Sequence, residues 1–155
     1  MIRNALEADV TALARLWFDG WQDGHAAVLP AELARLRTLE SFRKRLVEAL
    51  TSVRVCERDG KILGFSMLKG DELYQFYVSA EARGSDVAPS LMADAVEQLR
   101  AAGVEVAWLA CAIGNDRAAR FYEKSGWHRA GVFTSELPTP DGIFRLDVWR
   151  YEVRL

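Results

Sequence analysis

The sequence predicts a single mixed α+β domain over residues 1–155. Its hydrophobic period changes several times between about 3.6, typical of amphipathic helices, and about 2, typical of strands. No internal repeat, low-complexity tract or linker rich in proline, glycine or serine interrupts the chain. Half of the 155 residues are hydrophobic, and a chain of this length buries enough surface to form a core without disulfides or metal.

The first part of the chain predicts a strand followed by two helical regions. The strand covers residues 2–5, and the helical spacing of apolar residues over 10–21 predicts the first helix, with Asp9 available as its cap. A loop is predicted through Gly20, Gly24 and Pro30. The second helical region follows Thr38, a candidate cap, and reaches Leu50.

Three strands are expected next, over residues 53–58, 61–68 and 72–79. The first two are separated by Asp59-Gly60, a dipeptide typical of tight hairpins because both central positions of the favoured turn need positive φ. The sequence therefore predicts at least one antiparallel strand pair.

The last part of the chain alternates helices with strands. Pro89 suits the first turn of a helix that stops at Gly103, a residue favourable for a left-handed cap. The remaining predicted elements are a strand over 106–112, a short helix over 116–124 capped by Asn115 and ended by Gly126, and strands near 130–137 and 143–154. The predicted order is βααβββαβαββ.

Charge and hydropathy argue against two classes of partner. The chain has 20 Lys and Arg against 22 Asp and Glu, so we expect no nucleic-acid partner and no anionic membrane surface. The longest apolar run, 106–113, is far shorter than the roughly 20 residues of a membrane-spanning helix. The first residues do not read as a secretory signal.

The two cysteines indicate the compartment. Cys56 and Cys111 each fall in a predicted buried strand, and two lone thiols favour a reducing, cytoplasmic location. Together with His25 and His128 they match no spacing typical of a zinc site, so no metal is expected.

The segment between residues 72 and 127 carries the functional information. A strand runs through the loop RGSDVA, residues 83–88, directly into the Pro89 helix. Backbone N–H groups at a helix N-terminus have no intrahelical partner and point with the helix dipole toward an anion. One glycine ahead of a helix is more often an ordinary turn, so this loop alone is weak evidence for a phosphate site.

A second motif, NDRAARFYEKSGW at 115–127, follows the next strand. Together the two motifs resemble the GCN5-related N-acetyltransferase (GNAT) superfamily. The family pattern Arg/Gln-x-x-Gly-x-Gly/Ala falls on 83–88, and Asn-x-x-Ala-x-x-Phe-Tyr-x-Lys-x-Gly-Phe falls on 115–127, with Trp127 in place of the last Phe. The resemblance implies the acyl-CoA N-acyltransferase fold: three α/β/α layers around a mixed, mostly antiparallel twisted sheet of about seven strands, with about four helices.

The same resemblance implies acetyl-CoA as cosubstrate and a set of coenzyme-binding residues. In similar proteins the loop amides bind the pyrophosphate, and pantetheine pairs with the preceding strand like an added strand. The implied contacts are Phe76, Tyr77, Val78, Arg83, Gly84, Ser85, Asp86, Val87, Ala88, Pro89, Ser90, Asn115, Ala118 and Phe121. Asn115 suits this role and that of a helix cap at once.

Asp86 departs from the family pattern, which has glycine at this position. Asp is among the non-glycine residues that best tolerate positive φ, so the backbone can survive the change. A carboxylate beside a pyrophosphate repels it, which predicts weakened coenzyme affinity. The alternative is that the Asp86 side chain points into solvent, caps the next helix and has little effect.

Two residues are candidates for proton transfer. The resemblance implies that Tyr122 protonates the departing thiolate; the alternative is a core aromatic pair with Phe121. A lysine-like amine has a pKa of about 10.4, so a base or an ordered water must help to remove its proton. Glu72 is our candidate base by similarity, and a solvated strand-end carboxylate is the alternative.

The acceptor amine is expected against the first two helices and the last strands, where the family varies most. Six residues are candidates for a partly aromatic pocket: Trp17, Trp21, His25, Tyr74, Arg145 and Trp149. Each has an ordinary structural alternative, such as a core tryptophan, a loop histidine or a solvated arginine. The sequence does not identify the acceptor, which is a small-molecule or a peptide amine.

These observations predict an acetyl-CoA-dependent N-acetyltransferase in which the amine attacks directly in a ternary complex. A coenzyme-binding module that senses acyl-CoA without efficient catalysis is the main alternative, favoured by Asp86. A third hypothesis, a purely structural domain, is disfavoured because it would make the presence of both motifs in the family's order a coincidence. Dimers are frequent among similar proteins, so a homodimer is an open expectation.

Overall fold

A seven-stranded sheet forms the centre of the protein in a computed structural model that describes residues 1–155. Its strands are β1 Ile2–Asn4, β2 Val53–Arg58, β3 Lys61–Lys69, β4 Glu72–Val78, β5 Val106–Ala112, β6 His128–Thr139 and β7 Gly142–Arg154. The spatial order is β1-β2-β3-β4-β5-β7-β6. Every neighbouring pair is antiparallel except β4 and β5, which are parallel.

Helices cover both faces of the sheet. They are α1 Val10–His25, α2 Ala31–Leu36, α3 Leu39–Glu48, α4 Val87–Ala101 and α5 Asp116–Lys124. The three-layer fold with a mixed, mostly antiparallel sheet is thereby confirmed. The predicted order is also confirmed, except that the second helical region consists of two helices and the total is five. No helix is both long and apolar enough to cross a membrane.

Two main hydrophobic clusters attach the helices to the sheet. On one face, Trp17 of α1 and Phe42 of α3 pack with ring centroids 4.7 Å apart, above Phe65 of β3. On the other face, Leu99 of α4 packs in a cluster with Leu109 of β5 and residues of α5. Successive side chains of a strand point to opposite faces of the sheet, so both faces carry apolar residues. Helices must cover each face, which produces the three layers.

Local signals placed several boundaries correctly. Asp59 and Gly60 have φ values of 53° and 75°, as the predicted tight turn between β2 and β3 requires. The Thr38 hydroxyl accepts a 3.1 Å hydrogen bond from the Ser41 amide, and Asn115 caps α5 through a 3.4 Å bond from the Ala118 amide. These caps satisfy helix N-terminal amides that have no intrahelical partner.

The predicted cap at Asp9 is wrong. Its carboxylate instead accepts two hydrogen bonds from Arg3, at 2.8 and 3.1 Å, and one of 2.7 Å from the Leu6 amide. The arginine holds the pKa of Asp9 below its usual range. Arg3 and the Leu6 amide, six and three residues before Asp9, therefore take this side chain in place of the first amides of α1.

The predicted loop through Gly20 and Gly24 is also wrong, because α1 continues to His25. A Cβ atom on Gly20 would lie 2.5 Å from Cδ1 of Tyr77, and one on Gly24 would lie 3.2 Å from Nδ2 of Asn115. The two glycines are four residues apart and therefore share one face of the helix. They let α1 approach β4 and α5 closely rather than ending the helix.

We expect Gly20→Ala to lower the free energy of unfolding by about 1 kcal/mol, because displacement of Tyr77 outweighs the better helix propensity of alanine. Chemical denaturation measures this change. In a Tyr77→Ala background the obstacle is gone, so the same substitution should become stabilising. Equal effects in both backgrounds would contradict the proposed contact.

Candidate functional site

The parallel strands β4 and β5 separate almost at once and leave a cleft between them. Their only ladder pair is Glu72 with Trp108, supported by a 3.1 Å hydrogen bond from the Trp108 amide to the Asp71 carbonyl. Beyond this pair the facing backbone edges have no strand partner. The cleft has a volume of about 440 Å³, in the range typical of ligand sites.

A bulge in β4 sets the directions of the side chains at the cleft. The register with β3 shifts where Leu68 pairs with Leu73 and Met67 with Gln75, so one residue of β4 is unpaired. As a result, Tyr74 and Tyr77 both pack on the α1 side of the sheet. Leu73 and Phe76 pack on the α4 side, and the Phe76 ring stacks on Phe121 of α5 with centroids 5.4 Å apart.

Most of the predicted site residues line this cleft. They are Trp17, Trp21, His25, Glu72, Tyr74, Phe76, Tyr77, Val78, Arg83, Gly84, Ala88, Asn115, Ala118, Phe121 and Tyr122. The predicted residues that do not line it are Ser85, Asp86, Val87, Pro89, Ser90, Arg145 and Trp149. The cleft thus brings together residues from α1, β4, the loop before α4, and α5.

The loop before α4 presents free backbone amides. Gly84 has a φ of 79°, a conformation that glycine adopts without strain. The amides of Ser85 and Val87 are hydrogen-bonded within the loop. Those of Gly84, Asp86 and Ala88 have no partner in the chain. Free N–H groups at the start of a 15-residue helix are suited to binding an anion.

Asp86 has an ordinary backbone conformation, with a φ of −83°. Its carboxylate accepts hydrogen bonds of 2.6 and 3.0 Å from Arg58 and does not cap α4. The arginine lowers the pKa of this carboxyl, and the side chain is 70% exposed. The predicted cap is therefore wrong, whereas the predicted exposure to solvent is confirmed.

The end of α1 lies over the loop of residues 83–88, called the coenzyme loop below after the role that the family resemblance implies. Asp23 accepts a 2.9 Å hydrogen bond from Arg83, the first residue of that loop. Gly24 lies close to Asn115, and Arg117 of α5 also lines the cleft. Because Arg83 is paired with Asp23, Arg117 and the free amides are the groups at this end of the cleft that can bind an anion.

Tyr122 lies on α5 with its ring packed near Phe121 and Tyr151, at centroid distances of 5.8 and 6.0 Å. The residue lines the cleft, and its hydroxyl forms no hydrogen bond within the chain. Burial raises the pKa of Tyr122 above its usual range, so the phenol is protonated at neutral pH. The hydroxyl is therefore available as a proton donor.

Glu72 stands at the start of β4, where the two strands separate. Burial raises the pKa of Glu72 to about 7, and the nearby charge of Asp71 adds to the increase, while Lys69 and Arg150 oppose it. A carboxyl that titrates near neutral pH suits a general base.

Two other titratable groups in the cleft are held neutral by burial. The pKa of His25 is lowered to about 4, and its Nδ1 atom is buried without a hydrogen-bond partner. The pKa of the Cys111 thiol is raised to about 12. At neutral pH the histidine is therefore uncharged and the cysteine is not a thiolate.

Arg145 and Trp149 occupy the face of β7 away from the cleft. Leu146 and Val148 line the cleft, so their odd-numbered neighbours point the opposite way. Arg145 pairs with Glu136 at 3.4 Å, and Trp149 carries the Arg129 guanidinium 3.8 Å above its ring. Since both side chains face away from the cleft, their positions do not support the predicted acceptor role. The sequence did not indicate the register of the long β6–β7 hairpin, which decides the direction of these side chains.

Two arginines for which the sequence predicted no role line the same cleft. Arg37, between α2 and α3, is only 4% exposed and donates a 3.1 Å hydrogen bond to the Pro138 carbonyl. Arg45 of α3 lies 4.5 Å above the Trp17 ring and donates a 3.0 Å bond to the Tyr74 hydroxyl. The only signal for Arg45 was its spacing of three residues from Phe42 on the apolar side of α3.

Comparison with known proteins gives a consistent result. A model of the Acetyltransferase (GNAT) family matches residues 10–127. An uncharacterized N-acetyltransferase of Mycobacterium tuberculosis is 32% identical over 120 residues, an alignment that covers 72% of this chain and 77% of the relative. The corresponding Mycobacterium bovis protein shows the same identity and coverage.

Solved structures with this fold are numerous and distant in sequence. A GCN5-related N-acetyltransferase from Rhodopseudomonas palustris matches with a TM-score of 0.78 at 20% identity, covering 100% of this chain and 95% of that one. PaiA N-acetyltransferase of Thermoplasma acidophilum, solved with coenzyme A, matches with a TM-score of 0.72 at 16% identity and coverages of 100% and 98%. These likenesses concern the fold.

Proposed function

We propose that this chain, which belongs to the acetyltransferase (GNAT) family, transfers the acetyl group of acetyl-CoA to a primary amine of a small molecule. The observation that carries the proposal is the cleft between β4 and β5, with free loop amides at one end and an unpartnered tyrosine hydroxyl in its wall. The core clusters on both faces of one sheet support a single domain over residues 1–155.

The coenzyme site fits the residues present. The free amides of Gly84, Asp86 and Ala88, with Arg83 and Arg117 beside them, suit a pyrophosphate. The unpaired edge of β4 offers backbone groups to the amides of a pantetheine arm. A bound acetyl-CoA supplies an activated thioester, and a PaiA enzyme of the same fold was solved with coenzyme A.

Direct attack by the amine is favoured over a covalent enzyme intermediate. Cys111 is the one cysteine at the cleft, and its raised pKa of about 12 keeps it protonated. Glu72 accepts the proton of the amine, and Tyr122 donates a proton to the departing sulfur. Both Cys56 and Cys111 are buried free thiols, which supports the proposed location in the reducing cytoplasm.

A small-molecule acceptor suits the walls that the last strands add to the cleft. The β6–β7 hairpin contributes Leu137 and Leu146 to its wall, and Arg37 ties this hairpin to the segment between α2 and α3. A Brucella melitensis structure of the same fold is described as a ribosomal-protein-alanine N-acetyltransferase, so the fold also accommodates a protein acceptor.

Calorimetric titration with acetyl-CoA and with free coenzyme A tests the proposal. We expect micromolar binding of both ligands, and amine-dependent release of coenzyme A measured with a thiol reagent. Micromolar binding without release by any of a broad panel of amines would favour the sensing module. Absence of binding at millimolar ligand would overturn both functions.

The feature that favoured a sensing module does not support it in the structure, since the Asp86 carboxylate is paired with Arg58. We expect Asp86→Gly to change the dissociation constant of acetyl-CoA by less than about threefold, because an exposed, paired charge has little influence. Arg58→Gln is the matched variant, since it leaves Asp86 unpaired, and it should weaken binding more. A tenfold gain in affinity for Asp86→Gly would restore the repulsion hypothesis.

A further inference from the structure

The end of the cleft opposite the coenzyme loop contains two cations without a carboxylate partner. We define this acceptor end by Arg37, Arg45, Tyr74, Leu137 and Leu146, all of which line the cleft. Tyr74 and Val78 are four residues apart on β4, so the acceptor end lies roughly 13 Å along the strand from the residues that precede the coenzyme loop.

The hydrogen bonding of both guanidinium groups is incomplete. Arg37 uses one N–H for the Pro138 carbonyl, and Arg45 uses one for the Tyr74 hydroxyl. Neither forms a salt bridge, whereas Arg3 and Arg54, which are also partly buried, each pair with a carboxylate. Buried charges are ordinarily paired, because an unpaired one is strongly destabilising.

No acidic side chain near Arg37 and Arg45 balances their positive charge. Arg37 is more than nine-tenths buried, and both burial and the proximity of Arg45 lower its pKa, to about 10, so it remains cationic at neutral pH. Glu72 is the only acidic residue that lines the cleft, and the charges acting on it are those of Lys69, Asp71 and Arg150. It does not serve as the partner of either arginine.

Aromatic rings hold the Arg45 guanidinium in place, while its N–H groups other than the one bonded to Tyr74 stay free. Its guanidinium lies 4.5 Å from the centroid of Trp17, 5.8 Å from that of Phe42 and 5.9 Å from that of Tyr74. Stacking on ring faces leaves the N–H groups around the edge available for a planar or tetrahedral anion.

We infer that the acceptor amine carries an anionic group, a carboxylate or a phosphate, which Arg37 and Arg45 bind at the acceptor end of the cleft. This inference rests on the proposed acetyl transfer and specifies its substrate class. The apolar neighbours Leu137 and Leu146 suit a hydrocarbon portion of the same acceptor. A purely structural role for Arg37, holding Pro138, is the competing explanation.

Matched acceptors with and without an anion test the inference. The first set shares one skeleton: leucine, its aminophosphonate analogue, leucinamide and isoamylamine. The second set is 6-aminohexanoate and hexylamine. We expect kcat/KM for the preferred anionic member to exceed that of its neutral partner by on the order of 100-fold. The phosphonate arm distinguishes a phosphate-type site from a carboxylate site.

Arg37→Gln and Arg45→Gln should each remove most of that preference by lowering kcat/KM for anionic acceptors alone. A structural role would lower it for anionic and neutral acceptors alike. Arg43→Gln is the matched control, because Arg43 is an exposed residue of the same helix as Arg45. Arg45→Lys keeps the charge and should retain part of the preference, and thermal melting with coenzyme A titration verifies that each variant is folded.

Binding of acids that lack the amine separates this inference from the proposed function. 4-Methylpentanoate and hexanoate should bind wild type and Arg43→Gln, but neither Arg37→Gln nor Arg45→Gln, in titrations with and without coenzyme A. Such binding in a protein that fails to bind coenzyme A would uphold the anion site and reject acetyl transfer. Equal use of neutral and anionic amines, or no saturable binding of any anionic probe at millimolar concentration, would overturn the inference.

Discussion

Tyr122→Phe should lower kcat by about 100-fold or more while acetyl-CoA affinity stays nearly unchanged, because general acid catalysis contributes a factor of this size. Tyr122 lines the cleft, its hydroxyl has no hydrogen-bond partner in the chain, and burial keeps its pKa above the usual range, so it holds a transferable proton. Phenylalanine preserves the ring contacts with Phe121 and Tyr151. Steady-state release of coenzyme A and calorimetry measure the two quantities.

Tyr151→Phe is the matched control for this loss of a hydroxyl. The Tyr151 hydroxyl donates a 2.6 Å hydrogen bond to Glu123 and accepts bonds from Arg129, and the residue does not line the cleft. We expect this variant to lose some stability while kcat changes little. A Tyr122→Phe variant whose kcat stays within threefold of wild type would exclude Tyr122 as the general acid.

Glu72→Gln should lower kcat/KM by about 100-fold at pH 8 and abolish a rise of activity centred near pH 7. The carboxylate is the active form of a base. Because burial raises the pKa of Glu72 to about 7, the active fraction increases as pH rises through that value. The acceptor amine titrates at higher pH, so its contribution remains in the variant.

Asp71→Asn sharpens this test. The Asp71 charge raises the pKa of Glu72, so its removal should shift the rise of activity to lower pH while activity at pH 8 is retained. Asparagine keeps an oxygen for the 3.0 Å hydrogen bond that Trp108 Nε1 donates to Asp71. A wild-type profile without inflection between pH 6 and 8, or one that Glu72→Gln leaves unchanged, would contradict the assignment.

The raised pKa of Glu72 also affects stability. Since this pKa is higher in the folded than in the unfolded protein, the folded state binds more protons in the interval from about 4.5 to 7. The free energy of unfolding therefore falls as pH rises through that interval. Glu72→Gln should stabilise the protein at pH 8 by about 1 kcal/mol, a value reduced for partial solvent exposure, and by less at pH 5.

The amino-acid sequence by itself determined both motifs and the order of the elements, apart from the division of the second helical region into two helices. Helical and strand periodicities depend on neighbouring residues, and so do the turn at Asp59-Gly60 and the caps at Thr38 and Asn115. Interactions over one to four residues are the same wherever the segment lies in the fold, so the local sequence is sufficient to predict them.

Tertiary structure decided which long-range partners compete with those signals. Gly20 lies inside a helix that packs closely on Tyr77, and Asp86 pairs with Arg58. Arg145 lies on the face of its strand away from the cleft, where it pairs with Glu136. Tertiary structure also brought Arg37 and Arg45 into one cleft from separate segments. Each outcome depends on which surfaces of the protein pack against each other. This packing joins residues that are distant in the chain, and the periodic pattern of the local sequence does not reveal such pairs.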